Sequence, residues 1–110
     1  MVKTATIAGK EYPVSFGSAA IAAFEKETGV SISTIGDGTP YFNTLRLIHT
    51  GLKDGARKAK KTFSLEFESF CDLLDDDPEA VTRLMDAFSE SMPVADPDAT
   101  EEKKVKAAAQ

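Results

Sequence analysis

The chain has one cysteine, Cys71, one histidine, His49, and no tryptophan. A lone thiol excludes an internal disulfide and any cysteine-based metal framework, and a lone imidazole excludes a multi-histidine metal site. Long hydrophobic runs are also missing: none approaches the ~18 residues that a membrane-crossing helix requires. The opening Met1-Val2-Lys3-Thr4 leads into a polar-interrupted strand pattern and not into a signal-peptide apolar stretch, so the expectation is a protein that stays in the cytosol. Basic charge is in deficit, 13 Lys and Arg against 18 Asp and Glu, a net charge of −5. Such a chain has no general attraction for nucleic acid or for anionic lipid. What is present is globular: 110 residues, 42% of them hydrophobic and 28% charged. That is one ordinary domain, able to bury roughly 65% of its unfolded surface.

Thr4 to Phe16 reads as a β-hairpin. Thr4-Ala5-Thr6-Ile7 is a short β-branched run, Ala8-Gly9-Lys10-Glu11 supplies a turn whose glycine can take positive φ, and Tyr12, Val14 and Phe16 share one face of the return strand. Pro13 has no N–H to give a ladder, so it must lie on an edge. A lone hairpin is marginal in water, so helices must cover that face.

Helix one is expected from Ser18 as N-cap, with Ile21, Phe24 and Thr28 on one side and Gly29 just past its end. Val30 to Thr39 is a connector, in which Ile32 to Ile35 either loops or pairs as a short strand, and Gly36-Asp37-Gly38 is a turn. Helix two takes Thr39 as N-cap and Pro40 as its first residue. It carries Tyr41, Leu45, Ile48 and Leu52 as its stripe, flanked by Phe42 and His49, and stops around Lys53-Asp54-Gly55. A basic run, Arg57-Lys58-Ala59-Lys60-Lys61, follows. Helix three is capped by Ser64 and buries Phe67, Phe70, Cys71 and Leu74. Helix four is capped by Asp77 with Pro78 next. It buries Val81, Leu84, Met85 and Phe88, reaches Met92 and ends at Pro93. The expected fold is therefore mainly α with an N-terminal β-hairpin, an α+β arrangement of about four short helices packed on one hairpin. Residues 1–92 form the domain. Residues 93–110 hold too few bulky side chains to offset the entropy of ordering them and read as a flexible tail.

Chemistry is harder to find. The carboxylates Asp72, Asp75, Asp76 and Asp77 lack the glycine-centred loop of an EF-hand and read as a helix stop and cap. His49 has no nucleophile elbow, phosphate loop or metal spacing around it, and Cys71 reads as a small buried hydrophobe. No catalytic residue, metal ligand or cofactor is expected. The run Arg57–Lys61 lacks the interleaved aromatics of a nucleic-acid surface and suits a solvated linker or a dock for an acidic protein. Seven Phe, two Tyr and three Met remain in a small chain. Phe42, His49, Met85, Phe88 and Met92 are the candidates for a partner-facing surface; the other reading is that all are core.

The order of motifs is the most specific feature. Ile7 to Gly17 has the form I-x-G-K-E-Y-x-V-x-F-G and leads into F-E-K-E-T-G (Phe24 to Gly29). Then come L-x-L-I-H-T-G-L-K (Leu45 to Lys53), a basic spacer, F-S-L-E-F-E-S-F (Phe63 to Phe70) and L-L-D-D-D-P-E-A (Leu73 to Ala80). Over about residues 7–92 this resembles the tail assembly chaperones of long-tailed bacteriophages and prophages. The resemblance implies a non-enzymatic protein of the host bacterial cytoplasm that holds the long helical tape measure protein before the tube polymerises around it. It also implies self-association, absence from the mature virion and, in a frameshifted longer form, recruitment of tail tube protein. It transfers no functional residue, because the shared motifs are structural. Two rivals are a small structural tail or connector component of the virion, and a DNA-binding regulator acting through Arg57–Lys61.

Overall fold

The computed structural model describes residues 2–36 and 38–91. An N-terminal antiparallel hairpin is followed by four α-helices, an α+β fold. Strands β1 (Lys3–Ile7) and β2 (Lys10–Val14) pair with Ile7 opposite Lys10, Ala5 opposite Tyr12 and Lys3 opposite Val14. The two-residue turn between them holds both Ala8 (φ 52°) and Gly9 (φ 81°) in the left-handed region, the primed turn whose twist matches the strands. Hydrogen-bonded pairs alternate from the closing Ile7–Lys10 pair, which leaves the missing N–H of Pro13 on the outer edge, as expected. Ala5, Ile7, Val14 and Phe16 are buried and Tyr12 half-buried.

The centre of the molecule is α2 (Tyr41–Lys58). The hairpin, α1 (Ser18–Thr28), α3 (Phe67–Asp75) and α4 (Ala80–Ser91) all pack on it, and α4 also covers β1. The core joins Ile7, Val14, Phe16 and Phe24 to Leu45, Leu47, Ile48, Leu52, Phe70, Leu74, Leu84 and Phe88. Because α2 is covered from several sides, its buried set is wider than one stripe: Leu47 is fully buried beside the expected Leu45, Ile48 and Leu52.

That central position explains the main correction to the sequence reading. Gly55 does not end the helix; α2 runs on to Lys58. A β-carbon on Gly51 would stand 2.4 Å from a ring carbon of Phe16, and one on Gly55 would stand 2.5 Å from the Pro13 carbonyl group. The two glycines lie one turn apart on one face and let β2 lie directly on the helix backbone. There the Ser15 N–H donates to the Gly51 carbonyl oxygen (2.9 Å). The helix ends in a Schellman turn: the Lys60 N–H donates to the Arg57 carbonyl oxygen (3.2 Å) and the Lys61 N–H to that of Ala56 (2.8 Å). Lys60 occupies the left-handed position (φ 60°) that glycine ordinarily fills.

The helix starts also differ from expectation. Ser18 opens α1 behind an N-cap at Gly17. The Thr39 hydroxyl does not cap α2, whose N-cap is Pro40. It closes the preceding turn, accepting from the Gly36 N–H (2.7 Å) and donating to the Gly36 carbonyl oxygen (2.6 Å). Ser64 does not cap α3, which starts at Phe67 behind Glu66. Asp77 does not cap α4. Its carboxylate accepts from the Ala8 N–H (2.9 Å) and from the Arg83 guanidinium, which also donates to the Thr6 carbonyl oxygen (3.0 and 3.1 Å). The Thr39 and Asp77 side chains have each taken a partner outside the first turn of the helix that follows. Residues Ile32–Thr34 form a 3₁₀ turn and not a strand, tied to α1 by the Ile32 N–H donating to the Glu25 carboxylate (2.7 Å). Gly29 ends α1 as expected, in the left-handed region (φ 71°). The end of helix four at Pro93 and the tail 93–110 lie outside the described residues.

Candidate functional site

Three phenylalanines from the segment after α2 close over His49. The imidazole lies 5.6 Å from the ring of Phe63, 5.6 Å from that of Phe67 and 5.2 Å from that of Phe70. Its Nε2 donates to the Leu65 carbonyl oxygen (2.9 Å), which fixes the tautomer of the neutral ring. Burial holds the imidazole below its ordinary pKa. The Leu65 carbonyl pulls the other way, Lys53 and Arg46 add to the lowering, and Glu27 opposes it. His49 is 6% exposed and latches residues 63–70 onto α2; it does not face solvent.

The aromatic cluster continues to the surface through Arg46. Its guanidinium lies 3.9 Å from the ring centre of Phe67 and 5.3 Å from that of Phe42, and those two rings meet edge to face at 5.8 Å. Phe42 remains 53% exposed and Tyr41, beside it on the first turn of α2, 64% exposed. With Val2 they are the large apolar side chains that the described residues leave in water. The expected surface set is thus split. Phe42 is exposed, Met85 is half-buried, His49 and Phe88 are buried, and Met92 lies outside the described residues. Tyr41, read from the sequence as core-facing, is the most exposed large apolar residue among the described residues. Its signal is positional: at the first residue of α2 it lies beyond the elements that cover the helix further along.

A polar cluster of four side chains joins the last turns of α2 to the hairpin. Asp54, 6% exposed, accepts from Arg57 (2.6 Å) and lies 3.4 Å from Lys58 Nζ, which donates to Ser15 Oγ (2.9 Å). Burial pushes the Asp54 carboxyl upward, but Arg57, the Ser15 hydroxyl and Lys58 outweigh it and hold the group below the ordinary carboxylate value. A serine beside a lysine is a nucleophile's arrangement, yet Ser15 is 1% exposed and no substrate reaches its oxygen. The Lys58–Ser15 bond in this cluster ties the end of the hairpin to α2. Cys71 is half-buried, its thiol pushed up chiefly by burial and then by Asp72. Among the described residues no three His, Cys, Asp or Glu side chains gather as a metal set, and no helix is long and apolar enough to cross a membrane.

The chain matches no protein-family model, no curated protein and no solved structure.

Proposed function

We propose that this chain is a tail assembly chaperone that binds an extended helical client, the tape measure protein, in the cytoplasm of a bacterial host, without transforming a substrate. The observation that carries the reading is the pair Tyr41 and Phe42, large rings left in water on a helix otherwise buried along much of its length. Exposed aromatics of this kind serve as anchors for an apolar helix face. The motif order from Ile7 to Ala80 supports the same family. With His49 and Phe88 inside, the client contact is assigned to Tyr41, Phe42 and the Arg46–Phe67 stack behind them. Self-association, and recruitment of tail tube protein by an extended form, belong to the same proposal.

Co-expression with the tape measure protein tests it. Soluble yield of the client rises with the native chain and falls back with the Tyr41→Ser/Phe42→Ser variant, whose helix content is unchanged. No rise with the native chain overturns the reading. Mass spectrometry of purified particles separates a chaperone, which is absent, from a structural tail or connector component, which is present.

A further inference from the structure

The two edges of the hairpin are treated differently. On β1 the outward Thr6 carbonyl oxygen is covered by Arg83 from α4. On β2 the alternation set by the Ile7–Lys10 pair turns the Glu11 N–H and carbonyl outward, and no described residue bonds them, whereas from Pro13 onward that edge is seated on Gly55 and Gly51 of α2. Facing that edge across a groove of ≈ 330 Å³ runs the segment Lys61 to Leu65, with Ala56 in the floor. No backbone hydrogen bond joins this segment to β2. The Tyr12 and Phe63 rings meet edge to face at 6.4 Å across the gap. Open strand edges accept added strands, and native proteins usually cover them.

The groove is also bordered by two lysines, with Glu11 the one acidic residue in its lining. Lys10 comes from β2, its Nζ 5.6 Å from the Tyr12 ring centre, and Lys61 comes from the end of α2. Neither forms an ion pair among the described residues, whereas Arg57 and Lys58 are engaged by Asp54. The negative end of α2 accounts for a lysine at 61 but not for one arriving from a strand. We propose that this groove seats an extended acidic peptide segment of another protein. One residue of the segment exchanges both of its backbone hydrogen bonds with Glu11 on the open part of the β2 edge, and the segment places its carboxylates on Lys10 and Lys61. One outward carbonyl oxygen beside one outward N–H on Glu11 suits a peptide backbone, which brings both a donor and an acceptor; a phosphate chain brings acceptors alone. The proposal is independent of the chaperone reading, which concerns the other end of α2.

Fluorescence anisotropy of the full chain with a labelled hexapeptide alternating glutamate and valine tests it; β2 is about 17 Å long, a span such a peptide covers. The expected result is saturable binding at low salt, weakened at least about tenfold by the Lys10→Glu/Lys61→Glu variant. Both lysines are solvent-facing, and circular dichroism checks that the variant is folded. N-methylation of alternate peptide amides abolishes binding in one phase and spares it in the other, because every second amide of an added strand faces the edge. Three results overturn the proposal: no binding of the acidic peptide, equal binding of both N-methylated phases, or tighter binding of a hexameric oligothymidylate, which makes the patch a nucleic-acid site.

Discussion

Gly55→Ala inverts an ordinary rule. In the interior of an exposed helix, alanine is more favourable than glycine by about 1 kcal/mol. At Gly55 the added β-carbon would meet the carbonyl carbon and oxygen of Pro13 and the α-carbon of Val14, all at 2.5 Å. That is about 0.9 Å inside ordinary contact, which begins at 3.4 Å. All three atoms are backbone, so no rotamer change relieves the clash. Either β2 lifts from α2 or the helix shifts under it. Lifting the strand loosens Val14, 1% exposed, and strains the bond from the Ser15 N–H to Gly51. Overpacking of this kind costs about 3 kcal/mol, and after the helix-propensity gain the net loss is about 2 kcal/mol. For a domain of this size that lowers Tm by about 10 °C. Thermal unfolding followed by far-ultraviolet circular dichroism measures it, with Gly36→Ala as a control, since a β-carbon there meets nothing within 4 Å. A Gly55→Ala variant as stable as the native chain, or more so, would refute the direct seating of β2 on α2.

Lys60→Gly acts in the opposite direction. Lys60 holds φ 60° at the end of α2, so glycine removes a strain of about 1 kcal/mol, and the urea midpoint rises; an unchanged or lower midpoint contradicts the Schellman turn. His49 gives the fold a pH dependence. The folded chain resists protonation of this ring, so below the unfolded value of about 6.5 the unfolded state binds more protons. Stability from the neutral ring is complete above that value and lost as pH falls through the lowered folded value. The native chain therefore loses more urea resistance between pH 7.5 and 5.5 than His49→Gln does, and parallel losses in the two proteins count against the latch.

Local pattern carried the hairpin and the existence of every helix. A β-branched run, a turn glycine and an edge proline are short-range signals, and the strands formed where those signals lie. Helix ends were less legible because capping residues are interchangeable with tethers. Asp77 has the composition of an N-cap, but Ala8 and Arg83, distant in sequence, offer its carboxylate two partners at once. Gly55 looked like a stop because glycine usually is one. Only the arrival of Pro13 against its α-carbon, a contact 42 residues back in the chain, shows that it is a seat. The same blindness affected the candidate surface. His49 reads as a flank of helix two until Phe63, Phe67 and Phe70 fold over it, and no local feature announces that fold-back. The Gly51–Gly55 spacing was the signal available in the sequence, since two glycines one turn apart mark a face that must accept close approach.

The arrangement around Phe42 bears on how a client would be held. Sequence composition suggests an adaptable surface built from flexible Met side chains, but Met85 is half-buried and the exposed bulk is aromatic. Phe42 is braced edge to face by Phe67, and Arg46 stacks on both rings. A braced ring loses little freedom when it is covered, so less of the contact energy is spent on ordering it. Tyr41 and Phe42 are neighbours on a helix, about 100° apart around its axis, so they cannot both line one groove along α2. On the chaperone reading a client helix therefore crosses the end of α2, with Tyr41 on one side of it and Phe42 on the other. That geometry grips one turn of the client and leaves its remaining length free, which suits a small protein acting in many copies along a long helical chain.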